Sequence, residues 1–203
     1  MDKTYGDSYK MKHIIFILLT IQLMRADYLG GYPGSTFRYA NNACSKSVGG
    51  ALVAKGAQGF ITFSNPANLS QTQNYEIGSS YFDLSLDRSV QTIALSKKLP
   101  RGAGLGVAFY RAGVDNIEGR DYINEITEIM SLNDYYGMLS FASTIKNVAI
   151  GLNVKVYGTN YHVQLPHASR YSANAVGLDV GFLYQHSQIL SIGFAAKNIE
   201  SIY

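Results

Sequence analysis

Between Val148 and Val156 the chain alternates without a break. Val148, Ile150, Leu152, Val154 and Val156 stand against Ala149, Gly151, Asn153 and Lys155. Successive side chains of a strand point to opposite faces, so this period of two implies a strand with one bulky apolar face and one small or polar face. The pattern returns at Asn174 to Tyr184, with Val176, Leu178, Val180 and Phe182 against Ala175, Gly177, Asp179 and Gly181. It returns again at Leu190 to Lys197, with Leu190, Ile192 and Phe194 against Ser191, Gly193 and Lys197. Repeated strands of about ten residues with this pattern are the signature of a transmembrane β-barrel. In such a barrel the bulky face meets lipid, and Asn153, Lys155, Asp179 and Lys197 face the lumen. A soluble envelope β-sandwich is the rival fold, and it requires Ile150, Leu152 and Phe194 to be buried.

Composition fits an all-β chain at a membrane. The sequence has 16 Tyr, 9 Phe, 20 Gly and no Trp, and 15% of its residues are charged. Tyr suits a membrane interface because its ring is apolar and its hydroxyl is wet. The net charge of +3 comes from scattered basic residues, which argues against a nucleic-acid partner. The first 26 residues read as a signal peptide: Lys10, Lys12 and His13 precede an apolar run from Ile14 to Met24, and Ala26 suits a cleavage point. That run is too short to span a bilayer as a helix. Met11 is an alternative start, and an N-terminal anchor or a core helix is the competing reading. Secretion places the chain in a bacterial envelope, with the outer membrane as its expected location. The single cysteine, Cys44, allows no internal disulfide.

Residues 27–73 do not alternate and are Gly- and Asn-rich, so they form a separate N-terminal segment ahead of the strands of 74–203. The patterning predicts strands near 75–86, 90–98, 103–112, 134–145, 148–157, 173–185 and 189–197. Pro100-Arg101-Gly102, Lys146-Asn147 and His186-Ser187-Gln188 are expected to be tight turns. Residues 113–133 and 158–172 are expected to be long solvated loops, the first acidic and the second carrying His162, His167 and Arg170. Alternating short and long connections suit an outer-membrane barrel. Seven strands is an odd number and would leave two open edges in lipid, so a partial barrel is expected, the N-terminal half of a larger one.

No catalytic centre, metal site or cofactor site emerges. Gly102, Gly104 and Gly106 lie inside an alternating strand and lack the third spacing of a dinucleotide fingerprint. His162, His167 and His186 are not joined by a carboxylate or cysteine at metal-ligand spacing. No Gly-x-Ser-x-Gly elbow occurs. Lys155 and Asp179 form the best polar pair, on the same face of adjacent predicted strands, where pairing lowers the cost of enclosing both charges.

The N-terminal block carries Tyr32-Pro33-Gly34-Ser35, then Val48-Gly49-Gly50-Ala51, then Ser64-Asn65-Pro66-Ala67-Asn68-Leu69. Gly177-Leu178-Asp179-Val180-Gly181 and Lys197-Asn198-Ile199 follow in the strand region. In this order, behind a signal and ahead of alternating strands, the chain resembles the PorV/PorQ family of outer-membrane proteins. These are relatives of the FadL long-chain fatty-acid transporters. The resemblance covers about residues 32–199. It implies that Gly49, Gly50, Ala51, Asn65, Pro66 and Ala67 belong to an N-terminal plug inside the barrel. It also implies passage of hydrophobic small molecules across the outer membrane. Alternatively, it implies a PorV-like role that binds exported proteins in type IX secretion without transporting. Lipid, a hydrophobic ligand and secreted proteins are the partners that follow. FadL-type barrels have about twice as many strands, and Lys55 to Phe60 departs from the acidic and aromatic residues usual before the Asn-Pro motif. Locally, Gly49 and Gly50 permit close approach or positive φ, and Asn65 before Pro66 is pushed out of the helical region.

Overall fold

The computed structural model describes residues 35–164, 169–187 and 189–199. The signal-like residues 1–26, the Tyr32-Pro33-Gly34 motif, His167 and Gln188 lie outside them. The chain divides into two units, Met1–Ser35 and Thr36–Tyr203, and the strands of the described residues lie in the second. These are β1 (Tyr75–Leu84), β2 (Arg88–Leu99), β3 (Ala103–Arg120), β4 (Ile126–Ile145), β5 (Val148–Val163), β6 (Ser169–Gln185) and β7 (Ser191–Ala196). They form one seven-stranded sheet in chain order, each antiparallel to its neighbours, curled into a half-barrel.

The alternation sets the two faces of this sheet. On β5 and β6, Asn153 and Asp179 are 0% exposed, whereas Ile150 on β5 and Phe194 on β7 are 57% and 66% exposed. Leu105, Val107, Phe109, Leu139, Phe141, Val176 and Phe182 are exposed on the same outer face. The bulky residues therefore point away from the protein, and the small and polar residues are covered. The cover is the N-terminal segment, in which residues 61–69 are all buried. This outcome removes the β-sandwich, which required the opposite faces.

Among the described residues the N-terminal segment forms short helical turns in place of strands. It has 3₁₀ turns at Ser35–Arg38, Ile61–Phe63 and Pro66–Gln71, and a short α-helix at Ala43–Ser47. Against the inner face it forms a larger aromatic cluster (Phe63, Tyr110, Tyr136, Tyr157 and neighbours) and a smaller one (Ala67, Ala149, Leu183).

Tight turns fall at Pro100–Gly102 and at Lys146-Asn147, whereas β6 and β7, expected to join through His186-Ser187-Gln188, are connected by residues 186–190, of which Gln188 lies outside the described residues. Arg101 and Lys146 take positive φ of 62° and 57° in these turns. The two expected long loops are corrected. β3 runs on to Arg120 and β4 begins at Ile126, so residues 121–125 alone connect them. β5 likewise extends to Val163 and β6 begins at Ser169. Asp121 organises the first tip by accepting from the Ile123 and Glu125 amides at 3.0 and 2.9 Å. These arms lack an apolar face because nothing covers either side at that height: Glu118, Tyr122 and Glu128 are exposed. Without an amphipathic demand there is no alternation to read, although the backbone pairs as it does below.

Candidate functional site

The junction between the N-terminal segment and the inner face concentrates the buried polar residues. Asn65 is its anchor. Its backbone is extended (φ −155°, ψ 120°), as a residue before proline prefers. Pro66 occupies the first helical position, where its missing N–H costs nothing. The Asn65 side chain caps the turn by accepting from the Ala67 amide at 3.0 Å. Its amide then donates outward to the Val53 carbonyl at 2.9 Å and to the Phe182 carbonyl of β6 at 3.0 Å. One side chain thus ties together its own turn, the preceding loop and the sheet. Asn68 donates to the Leu52 carbonyl at 3.2 Å.

Strand glycines make room for this turn. A Cβ on Gly151 would sit 2.3 Å from both the Ala67 nitrogen and the Pro66 carbonyl carbon. On Gly181 it would sit 1.9 Å from Asn65 Oδ1. Gly104 is crowded in the same way by the Leu69 carbonyl, at 2.5 Å, and Gly193 by the Val53 carbonyl, at 2.5 Å. Gly104, Gly151, Gly181 and Gly193 stand on four strands and form a trough in which main chain lies directly on main chain at Gly104, Gly151 and Gly193, and the Asn65 and Pro66 side chains lie on Gly181.

Above the trough lies a polar layer. Lys155 Nζ is 2.7 Å from Asp179 Oδ2, with side-chain exposures of 9% and 0%. Asn153 donates to the same Asp179 oxygen at 3.0 Å and to the Thr62 carbonyl at 3.2 Å. The other Asp179 oxygen accepts the Asn198 amide at 3.0 Å. Lys197 follows β7 and donates to the Phe63 carbonyl at 2.9 Å. The structure therefore brings Asn153, Lys155 and Asp179 into one buried cluster, with Lys197 exposed at its edge.

Gly49, Gly50 and Ala51 lie elsewhere. All three are exposed, at the end of the Ala43–Ser47 helix. Gly49 and Gly50 take φ of 61° and 80°, and a Cβ on either would meet nothing within 4 Å. Their reason is the left-handed backbone that ends this helix, with the Gly50 amide on the Ser45 carbonyl at 2.8 Å. They take no part in the trough.

The sequence reading missed an aromatic ladder at the next level. Tyr110, Tyr136 and Tyr157 are register partners on β3, β4 and β5, and all three are buried. Phe37 packs onto them, with ring centroids 5.0 Å from Tyr157 and 5.5 Å from Tyr136. The Tyr110 hydroxyl donates to the Thr36 carbonyl at 2.7 Å. Asp134 accepts from the hydroxyls of Thr36 and Thr159. The signal was available: the phase of the alternation puts Tyr110 and Tyr157 on the small-residue face, where large rings need a partner. A cavity of about 340 Å³ adjoins this ladder, lined among others by Phe37, Tyr136, Lys155, Tyr157 and Lys197.

Among the described residues no three His, Cys, Asp or Glu side chains are placed to hold a metal ion. His162 lies on the β5 arm opposite Arg170, and His186 lies beyond β6. Comparison with protein-family models, with curated proteins and with solved structures gives no match.

Proposed function

We propose that this chain forms part of an outer-membrane β-barrel of the PorV/PorQ and FadL-like type. Its N-terminal segment acts as the plug, and its role is the passage of hydrophobic small molecules across the outer membrane. The observation that carries this reading is the inversion of the sheet. The apolar side chains of adjacent strands face outward, and the glycines and charges face inward against the N-terminal segment. Water would penalise so large an apolar surface, whereas lipid accommodates it. The N-terminal segment lies where a plug would lie, on side-chain and main-chain contacts that can be broken without unpairing a strand. That arrangement suits a path that opens beside it.

Strand parity constrains closure. Because every neighbour is antiparallel, β1 and β7 run in the same direction. Two copies related by rotation about a barrel axis would therefore meet β7 to β1 in parallel. An even-numbered antiparallel barrel is reached by an odd number of further strands. Among the described residues β1 and β7 each pair with a strand on one side, and unpaired backbone groups are costly in lipid.

A second reading rests on the paired arms. β3 and β4 continue past Val114, the last β3 residue paired with β2, out to Arg120 and Ile126. Such arms suit a surface that holds an exported protein, as in the type IX secretion role.

The test is fractionation of cells that express the chain, followed by gel mobility of the extracted protein with and without boiling. Uptake of a labelled long-chain fatty acid is then measured in a host lacking its own transporter. Outer-membrane localisation, a heat-sensitive folded band and restored uptake are expected. A water-soluble folded protein would overturn the barrel. A folded outer-membrane barrel that restores no uptake would overturn the transport role and leave the secretion role.

A further inference from the structure

The cavity beside the tyrosine ladder carries a charge pattern that packing alone does not require. Arg38, Lys155 and Lys197 line it, and among the described residues none of its lining side chains is a carboxylate. The acid that serves this cluster, Asp179, is fully buried and already engaged. It takes the Lys155 ammonium at 2.7 Å and the Asn153 and Asn198 donors at 3.0 Å each. Lys197 donates to one neutral group, the Phe63 carbonyl at 2.9 Å. An ammonium has three donors, so Lys197 retains capacity for an anion. Three cations thus line a partly enclosed space served, among the described residues, by one carboxylate; Lys155 is matched by Asp179, whereas Arg38 and Lys197 are exposed and give its mouth a net positive charge. The other wall is aromatic: the rings of Phe37, Tyr136 and Tyr157 lie 5.0 to 5.5 Å apart, centroid to centroid.

We propose that this cavity binds a small aromatic monoanion. Its carboxylate sits on the Lys197 ammonium with Arg38 at the mouth, and its ring lies against Phe37, Tyr136 and Tyr157. The volume of about 340 Å³ lies at the lower end of the range for small-molecule sites, roughly 300–1,000 Å³. It suits a compact ring rather than an extended chain. The ligand's charge offsets the excess of cations. The same ring without its charge would leave that excess in place. The site is built from the N-terminal segment and the inner face, and its occupancy does not depend on whether the barrel conducts anything.

The experiment is equilibrium dialysis of 2-naphthoate against the folded full-length chain in detergent, beside 2-naphthamide, which has the same rings and no charge. Saturable binding of one naphthoate per chain is expected, with naphthamide about ten- to a hundredfold weaker, the factor for losing a hydrogen bond to a charged group. Lys197→Gln is expected to lose a similar factor, and Lys197→Arg to keep most of the affinity. Equal binding of acid and amide, an unchanged Lys197→Gln, or no saturable naphthoate binding would each overturn the proposal. Each variant is first checked for the folded band on unboiled gels. If Lys197→Gln does not fold, Arg38→Gln takes its place, with a several-fold loss expected and unchanged affinity overturning the proposal. Absence of that band in the unmodified chain would count against the barrel itself, and is read separately from binding.

Discussion

Adding one methyl group at Gly151 tests the trough directly. Ordinary van der Waals contact begins at about 3.4 Å, and the new Cβ would lie 2.3 Å from the Ala67 nitrogen and the Pro66 carbonyl carbon. The overlap exceeds 1 Å and involves main chain on both sides. No rotamer change relieves it, so either the β5 strand bends or the Pro66–Gln71 turn lifts. Overpacking of a well-packed site costs about 1–3 kcal/mol and occasionally more. Lifting the turn exposes the fully buried Leu69, worth about 1.5–3 kcal/mol. It also breaks the Asn65 bonds to Val53 and Phe182, worth about 0.5–1.5 kcal/mol each. Gly151→Ala is therefore expected to cost about 3–6 kcal/mol. The assay is the urea midpoint of the folded band in detergent, with limited proteolysis reporting on residues 52–74. The variant should unfold at lower urea, with new cleavage in that segment. Gly137→Ala is the control: its Cβ would meet nothing within 4 Å, so its effect should stay within about 0.5 kcal/mol. Gly106→Ala separates main-chain from side-chain crowding, because its Cβ would strike the Thr62 methyl at 2.7 Å. Thr62→Ser, which removes that methyl, should rescue Gly106→Ala, whereas Ala67→Gly should not rescue Gly151→Ala. A Gly151→Ala protein with wild-type stability and wild-type protection of residues 52–74 would refute the trough.

Three further outcomes follow from the same geometry. Asn65→Ala removes a cap and two buried donors at once, so a loss of about 2–4 kcal/mol is expected in the same urea assay. Asn65→Asp keeps the cap acceptor but sets a carboxylate against two carbonyls, and should be no better. Asp179→Asn strands the Lys155 ammonium, at a cost of about 3–5 kcal/mol, and Lys155→Met in the same chain should recover part of it; equal stability of single and double variants would show that the pair is not coupled. Leu152→Arg places a charge on the exposed apolar face, where mid-membrane Arg costs about 2–4 kcal/mol, so membrane assembly should fail; normal assembly would refute the lipid-facing assignment.

Strand number, chain-order topology and facing were legible because one physical demand repeats. Each strand with the N-terminal segment on one face has to separate the small and polar side chains it covers from the bulky apolar ones left on the other face, and period two records that separation. Ile150 and Asn153 carry it most clearly. Where the demand lapses, so does the signal. Glu118 and Glu128 sit exposed on the β3–β4 arm, and their pairing is fixed by the backbone of the strands they extend. The N-terminal segment was legible at Asn65-Pro66, where a local rule sets the backbone, and hidden at Leu52 and Val53. There the functional group is a carbonyl that any residue supplies. Sequence alone leaves close approach and positive φ both open at Gly49 and Gly50, and their backbones take the second.

The inner face of the sheet answers two needs at different heights, and its residue types follow. Where the Asn65–Leu69 backbone lies flat on the strands, the face is glycine, and the interaction is contact between main chains with Asn65 fixing its register. One level further along β5, at Asn153 and Lys155, the face is polar, and Asn153 reaches the segment at the Thr62 carbonyl. A level beyond that, at Tyr157, the face is aromatic and Phe37 of the segment packs on it. The inner face therefore passes from glycine to lysine to tyrosine, and the cavity is lined where Lys155 gives way to Tyr157. The segment is tied to the sheet at both ends of this series, through Asn65 to the Phe182 carbonyl and through Thr36 to Asp134 and the Tyr110 hydroxyl, so displacing it breaks both sets of bonds.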